Sequence, residues 1–250
     1  MIKIPGPLIA IAVLAAPARL LVAQTVGTMA AAEALQASHI GALTPLMTPA
    51  MIRRTLDGAQ LGVRYGLRDQ PGTRTHTVAG SGIFAMGLNS SATMTAGVAD
   101  SDCAGCSPAL LLGVGADMRV YERGDVLSVG SIFTVAVSGD VGYARIKPSD
   151  SDALGLGVGA PITLVFGADR AGWRLTSFVT PSFGIGRVNG LVCLQIGPCE
   201  ENASGTRIVL GGGIGLWSPL SSVSASLGIN QVMVAEARPV YGVSVVIGGR

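Results

Sequence analysis

A chain of 250 residues is long enough for one large domain, but its composition is unusual for a domain surrounded by water. Hydrophobic residues make up 49% and charged residues only 13%, a balance that excludes intrinsic disorder. A formal charge of +2 is too small for a nucleic-acid footprint, so no nucleic-acid partner is expected.

In chain order, the first segment reads as a secretory signal peptide over residues 1–23. Lys3 supplies a positive start, Leu8–Ala16 an apolar stretch, and Ala16-Pro17-Ala18 a small-residue cleavage pattern, with the cut placed within 18–24. A buried N-terminal helix is the alternative. Leu8–Ala23 is too short for a spanning helix of about 20 residues, and Arg19 interrupts it. Residues 24–58 keep no strand pattern; Met29–Ser38 suits a short helix, and Pro45 and Pro49 interrupt the stretch after it. This segment reads as a periplasmic leader or a partial plug. Further on, glycines and polar residues interrupt every apolar run. A chain that crosses a membrane must then do so as a closed β-barrel over 59–250.

From Leu61 onward the chain alternates. Leu154, Leu156, Val158, Ala160, Ile162, Leu164 and Phe166 fall on one face, and Gly155, Gly157, Gly159, Pro161 and Thr163 on the other. The pattern recurs at Leu110–Val120, Ile208–Leu216 and Tyr241–Ile247. It predicts an all-β, up-and-down antiparallel barrel of about ten strands, near 59–68, 77–88, 91–99, 109–121, 126–139, 153–166, 172–187, 205–217, 222–230 and 239–249. Eight strands is the alternative, if the first hairpin is misread. The apolar face carries no charged residue in this reading, with Ser131 and Ser177 its main polar exceptions. The other face carries Gly, Ser and Thr with Arg64, Arg68, Asp117, Arg119, Arg174 and Arg207. A water-soluble barrel would reverse these faces, so the apolar face is assigned to lipid and the charged set to the lumen.

Connections are predicted to alternate between short turns (Asn89-Ser90, Glu122–Asp125, Asp169–Gly172, Ser218–Ser221) and longer loops (69–76, 100–108, 140–152, 188–204, 231–238). Tyr121, Phe166, Trp173 and Trp217 gather beside the short turns, as a thin interfacial girdle would.

On this alternation the chain resembles the small outer-membrane β-barrel proteins of diderm bacteria, broadly the OmpA/OmpW-like superfamily. The resemblance covers about 59–250 and the signal peptide. It implies location in the outer membrane, contact with outer-membrane lipid and insertion by the barrel-assembly machinery. One departure concerns the last strand: members usually end on an aromatic residue, whereas here Tyr241, Val243, Val245 and Ile247 lead into Gly248-Gly249-Arg250.

Four cysteines occupy two of the long loops. An even count in an exported chain favours disulfides, with local pairs Cys103–Cys106 and Cys193–Cys199 preferred over a bridge between the loops. Zinc is the alternative for the C-x-x-C pair, but the second pair has different spacing, and no metal or cofactor is expected. His39 lies in the leader. His76 lies near an outer loop, where a lipid-A-modifying enzyme would need it beside a Ser or carboxylate at the lipid face. Gly211–Gly215 resembles a phosphate loop, but it keeps strand phase and leads into no helix. Arg123-Gly124-Asp125 matches an integrin-binding tripeptide but falls in a predicted turn. Asp100–Asp102 and Asp150–Asp152 read as solvated loop tips.

No catalytic residue is assigned, and no enzymatic activity is expected. The leading expectation is a narrow pore that passes small solutes, with a mildly cationic lumen favouring anions. The alternatives are a non-conducting structural or adhesive surface barrel and, third, the lipid-modifying enzyme.

Overall fold

The computed structural model describes residues 59–248, apart from short stretches at 71–72, 88, 103–107, 128–129, 147–150, 168–171, 194–198, 203, 219–222 and 234–237. Residues 1–58, over which a signal peptide and a leader are expected, and with them His39, lie outside the described residues, as do Cys103 and Cys106.

The described chain is all-β. β1 (Ala59–Gln70), β2 (Thr73–Ala85), β3 (Ser90–Ser101), β4 (Ala109–Gly124) and β5 (Ile132–Ile146) succeed one another as antiparallel neighbours. β6 (Ser151–Gly159) and β7 (Ile162–Phe166) are two halves of one stave, both lying between β5 and β8 (Arg174–Asn189). β8 pairs with β11 (Ser204–Ser218), then come β12 (Val223–Val232) and β13 (Val240–Gly248), and β13 pairs back onto β1. The sheet therefore closes as a barrel of ten staves with no free edge. Two short strands, β9 (Leu191–Cys193) and β10 (Cys199–Glu201), form a separate hairpin in the connector between β8 and β11.

Each sequence-predicted strand is present, and the facing is as expected. Leu61, Val63, Met94, Val114, Leu156, Val158, Phe183, Ile214 and Ile247 point outward and are between 45% and 71% exposed. Their inward neighbours are mostly small, polar or charged, and mostly buried. A monomer in water rarely exposes more than a few hundred Å² of continuous apolar surface. A complete belt of Leu, Val, Ile, Met and Phe around a closed barrel needs lipid against it, so the fold is that of a membrane-type barrel.

Four details differ from the expectation. The loop predicted over 69–76 is largely strand: β1 runs to Gln70 and β2 starts at Thr73, and the ladder between them continues to the Gln70–Thr73 pair. The strand predicted over 126–139 is displaced to Ile132–Ile146, which carries Asp140 out of the predicted loop and into the wall. Ser131 then belongs to the preceding turn, buried, its hydroxyl accepting from the Leu127 N–H. Charge is also present on the outward face: Arg187, and beyond the predicted strand ends Arg145, face out near the long loops, where a strand leaves the hydrocarbon. Ser177 does face outward, as expected.

The proposed girdle is reduced. Trp173 and Tyr121 are outward and 59% and 47% exposed, but Trp217 is inward and only 2% exposed. It keeps the parity of Gly213 and Gly215 on β11 and so enters the lumen.

Candidate functional site: the barrel lumen

The six charged residues assigned to the lumen all face inward, and the wall brings them into three tiers. At the end carrying the short turns, Arg119 Nε stands 3.3 Å from Glu122 Oε2. These two would face opposite sides in a regular strand. The β4–β5 register shifts between Arg119 and Tyr121, a β-bulge that leaves both Val120 and Tyr121 outward and returns Glu122 to the lumen. Arg119 is further tied to the β2–β3 turn, its guanidinium donating to Asn89 Oδ1 and its N–H to the Asn89 carbonyl at 2.7 Å. In the same tier, Arg174 lies over the Trp217 ring, 4.6 Å from its centroid. Slightly higher on the wall, Ser91 donates to Asp117 at 3.4 Å.

The middle tier was only half legible in the sequence. Arg64 on β1 is 6% exposed and donates through Nη2 to Ser81 Oγ at 3.1 Å and Thr95 Oγ1 at 2.8 Å, so β1, β2 and β3 share one cation. Arg207 on β11 is 1% exposed. Asp140 on β5, which the predicted strand ends leave in a loop, is the inward carboxylate of this tier. The three occupy staves set three, three and four strands apart around the wall. Across the wall, Arg207 is the register partner of Gly184, Gly184 of Gly157, and Gly157 of Asp140. Both residues between the two charges are glycine. A Cβ at Gly184 would sit 3.3 Å from Arg207 Nε and 3.5 Å from its Cγ, so the missing side chain is the space along which the arginine lies. The signal that could have found Asp140 is the odd-numbered apolar run, which continues through Val141 and Tyr143 beyond the first acid.

The third tier, toward the long loops, holds Arg68. In the same tier Ala99, Ala109, Leu111, Ala144, Ala153 and Val188 form a buried apolar cluster on the inner wall. Five arginines and three acids thus face the lumen among the described residues, a net of two positive charges. The interior is mildly cationic, but more nearly balanced than Asp117 alone implied. Four inward threonine hydroxyls, of Thr93, Thr163, Thr176 and Thr180, are buried without a protein hydrogen-bond partner among the described residues. Such groups are ordinarily satisfied by water.

His76 is not part of this site. It faces outward at the loop end, where Tyr65 Oη is 2.8 Å from its Nδ1 and Asp102 Oδ2 is 3.8 Å from its Nε2. The carboxylate is within ion-pair distance but beyond a hydrogen bond, and the close partner is a phenol rather than a serine. Among the described residues no group of three or more metal-ligating side chains occurs.

No protein-family model and no curated protein matches the chain. Among solved structures it is similar to the translocator domain of the autotransporter NalP from Neisseria meningitidis, at 15% identity over 79% of this chain and 90% of that one, with a TM-score of 0.36. It is also similar to a structure solved in work on the in-meso crystallization of membrane proteins, at 10% identity over 75% and 83% of the two chains, with a TM-score of 0.35.

Proposed function

We propose that this chain is an outer-membrane barrel whose lumen is closed at rest by its own charges, and that it serves as a rigid mount for its loop-end elements at the cell surface. The observation that carries this reading is the middle tier: Arg64 and Arg207 are 6% and 1% exposed inside the wall, and the strand register sets Asp140 level with Arg207 across two glycines. A buried charge is tolerated only with a partner, and partners drawn from several staves interlock the interior. The arginine–glutamate pair in the tier at the turn end and the apolar cluster at the loop end support the same reading. The outer-membrane location, the cleaved signal peptide, insertion by the barrel-assembly machinery and kinship with the OmpA/OmpW-like superfamily belong to this proposal; they rest on the N-terminal pattern and the strand alternation. The absence of enzymatic activity belongs to it as well.

A second reading, narrow passage of small anions, is favoured by the buried threonine hydroxyls and the net positive lumen. Planar-bilayer recording separates the two. The closed barrel is expected to give no steady conductance at moderate voltage. Stable ohmic steps with anion preference would replace it by the passage reading, and stable steps with cation preference would sink both.

A further inference from the structure

The connector between β8 and β11 folds a small sheet whose register brings two cysteines together. In the β9–β10 hairpin, Leu191 stands opposite Glu201, Val192 opposite Glu200 and Cys193 opposite Cys199. Directly opposed residues of an antiparallel ladder have Cα atoms about 4.5 or 5.5 Å apart, depending on whether the pair is hydrogen-bonded. A disulfide accommodates Cα separations of about 4.4–6.8 Å, so the register places the two cysteines within reach of one. We propose that Cys193 and Cys199 form an intramolecular disulfide that clasps the tip of this surface hairpin.

The hairpin needs such a clasp. Its ladder has three residue pairs, and an isolated two-stranded hairpin is marginal in water. Its base is held differently. Gly190 and Asn202 both have left-handed backbones, with φ of 94° and 54°, and they join through Asn202 N–H to the Gly190 carbonyl at 3.5 Å and Gly190 N–H to Asn202 Oδ1 at 3.3 Å. A bond between the cysteines would close the other end. The register favours this pairing among those that cysteine spacing leaves open, since it already sets the two cysteines opposite each other.

The chemistry balances with a small disulfide such as glutathione disulfide as oxidant. One cysteine thiolate attacks a donor sulfur and expels one glutathione thiolate; the other cysteine then attacks the mixed disulfide and expels the second. The two protein thiols give up two electrons and two protons, and the donor leaves as two thiols. The proposal leans on the outer-membrane reading only for an oxidising surrounding; the pairing itself comes from the register.

The test is peptide mapping of the full chain, purified from membranes under alkylation and digested without reductant. The expected result is one species joining the Cys193 and Cys199 peptides, lighter by two hydrogens and split by reduction. Alkylated thiols in the cell that oxidise to the same pair when the folded barrel meets glutathione disulfide would uphold the pairing and overturn the location. A link to Cys103 or Cys106, or stable glutathione adducts on both cysteines, overturns the pairing. In the double variant Cys193→Ser, Cys199→Ser the barrel is expected to migrate as folded while proteolysis within 190–203 becomes several-fold faster. An unchanged rate overturns the clasp.

Discussion

On β1, outward Leu61 and Val63 are 71% and 60% exposed, while inward Gln60 and Arg64 are 2% and 6% exposed. Residues adjacent in sequence thus occupy opposite environments, in the reverse of the arrangement in a water-soluble domain. The two faces should also fail differently. The belt meets fluid lipid, so it constrains polarity and forgives shape; the lumen meets packed side chains, so it accepts charge but only in a fixed geometry.

The largest expected effect comes from shape in the wall. A Cβ on inward Gly213 would lie 2.2 Å from the Leu227 carbonyl and 2.9 Å from the Phe178 ring. Gly213→Val is therefore expected to abolish the heat-modifiable folded band on gels. Outward Gly80, whose added Cβ would find nothing nearer than 4.0 Å, should accept Ala with the band retained. Equal outcomes for the two would erase the contrast between belt and lumen.

Removing the shared luminal charge comes next. Asp140→Asn removes the inward carboxylate that stands level with Arg207 across the wall, an expected loss of about 3–5 kcal/mol, the scale of breaking a buried ion pair. A lower urea midpoint for refolding into vesicles would show it, and an unchanged midpoint would mean that the middle tier does not hold the barrel. Charge placed in the belt ranks third: Val158→Arg, outward and 59% exposed, should cost about 2–4 kcal/mol near the bilayer centre. The same measurement reads it, and a cost near zero would take Val158 out of the hydrocarbon. The weakest effect belongs to the rim, where Arg74 and Asp69 pair at 3.2 Å with side chains 62% and 63% exposed. Arg74→Ala should lower stability by less than about 1 kcal/mol, and a larger loss would show that this rim is not open to water.

Much of this was legible residue by residue. Arg64, Arg68, Asp117, Arg119, Arg174 and Arg207 could be assigned to the lumen because strand parity is a property of the backbone alone. Glu122 could not, since a bulge reverses parity locally and shows itself only in the pairing with β5. Asp140 was hidden because it falls at the start of the loop predicted over 140–152, whereas pairing with β4 and β6 on both sides keeps the segment extended. Trp217 looked interfacial from its place beside a turn, but burial over Arg174 outweighs proximity to the membrane surface.

That the chain is an all-β barrel with apolar residues outside is encoded in its order of amino acids, because a period of two over ten segments with almost no charge on one face admits few other folds. Which charges meet is encoded nowhere locally. Arg64, Asp140 and Arg207 are far apart in the chain and come together only when the tenth stave closes on the first, since an electrostatic partner across a barrel depends on register and closure rather than on sequence spacing.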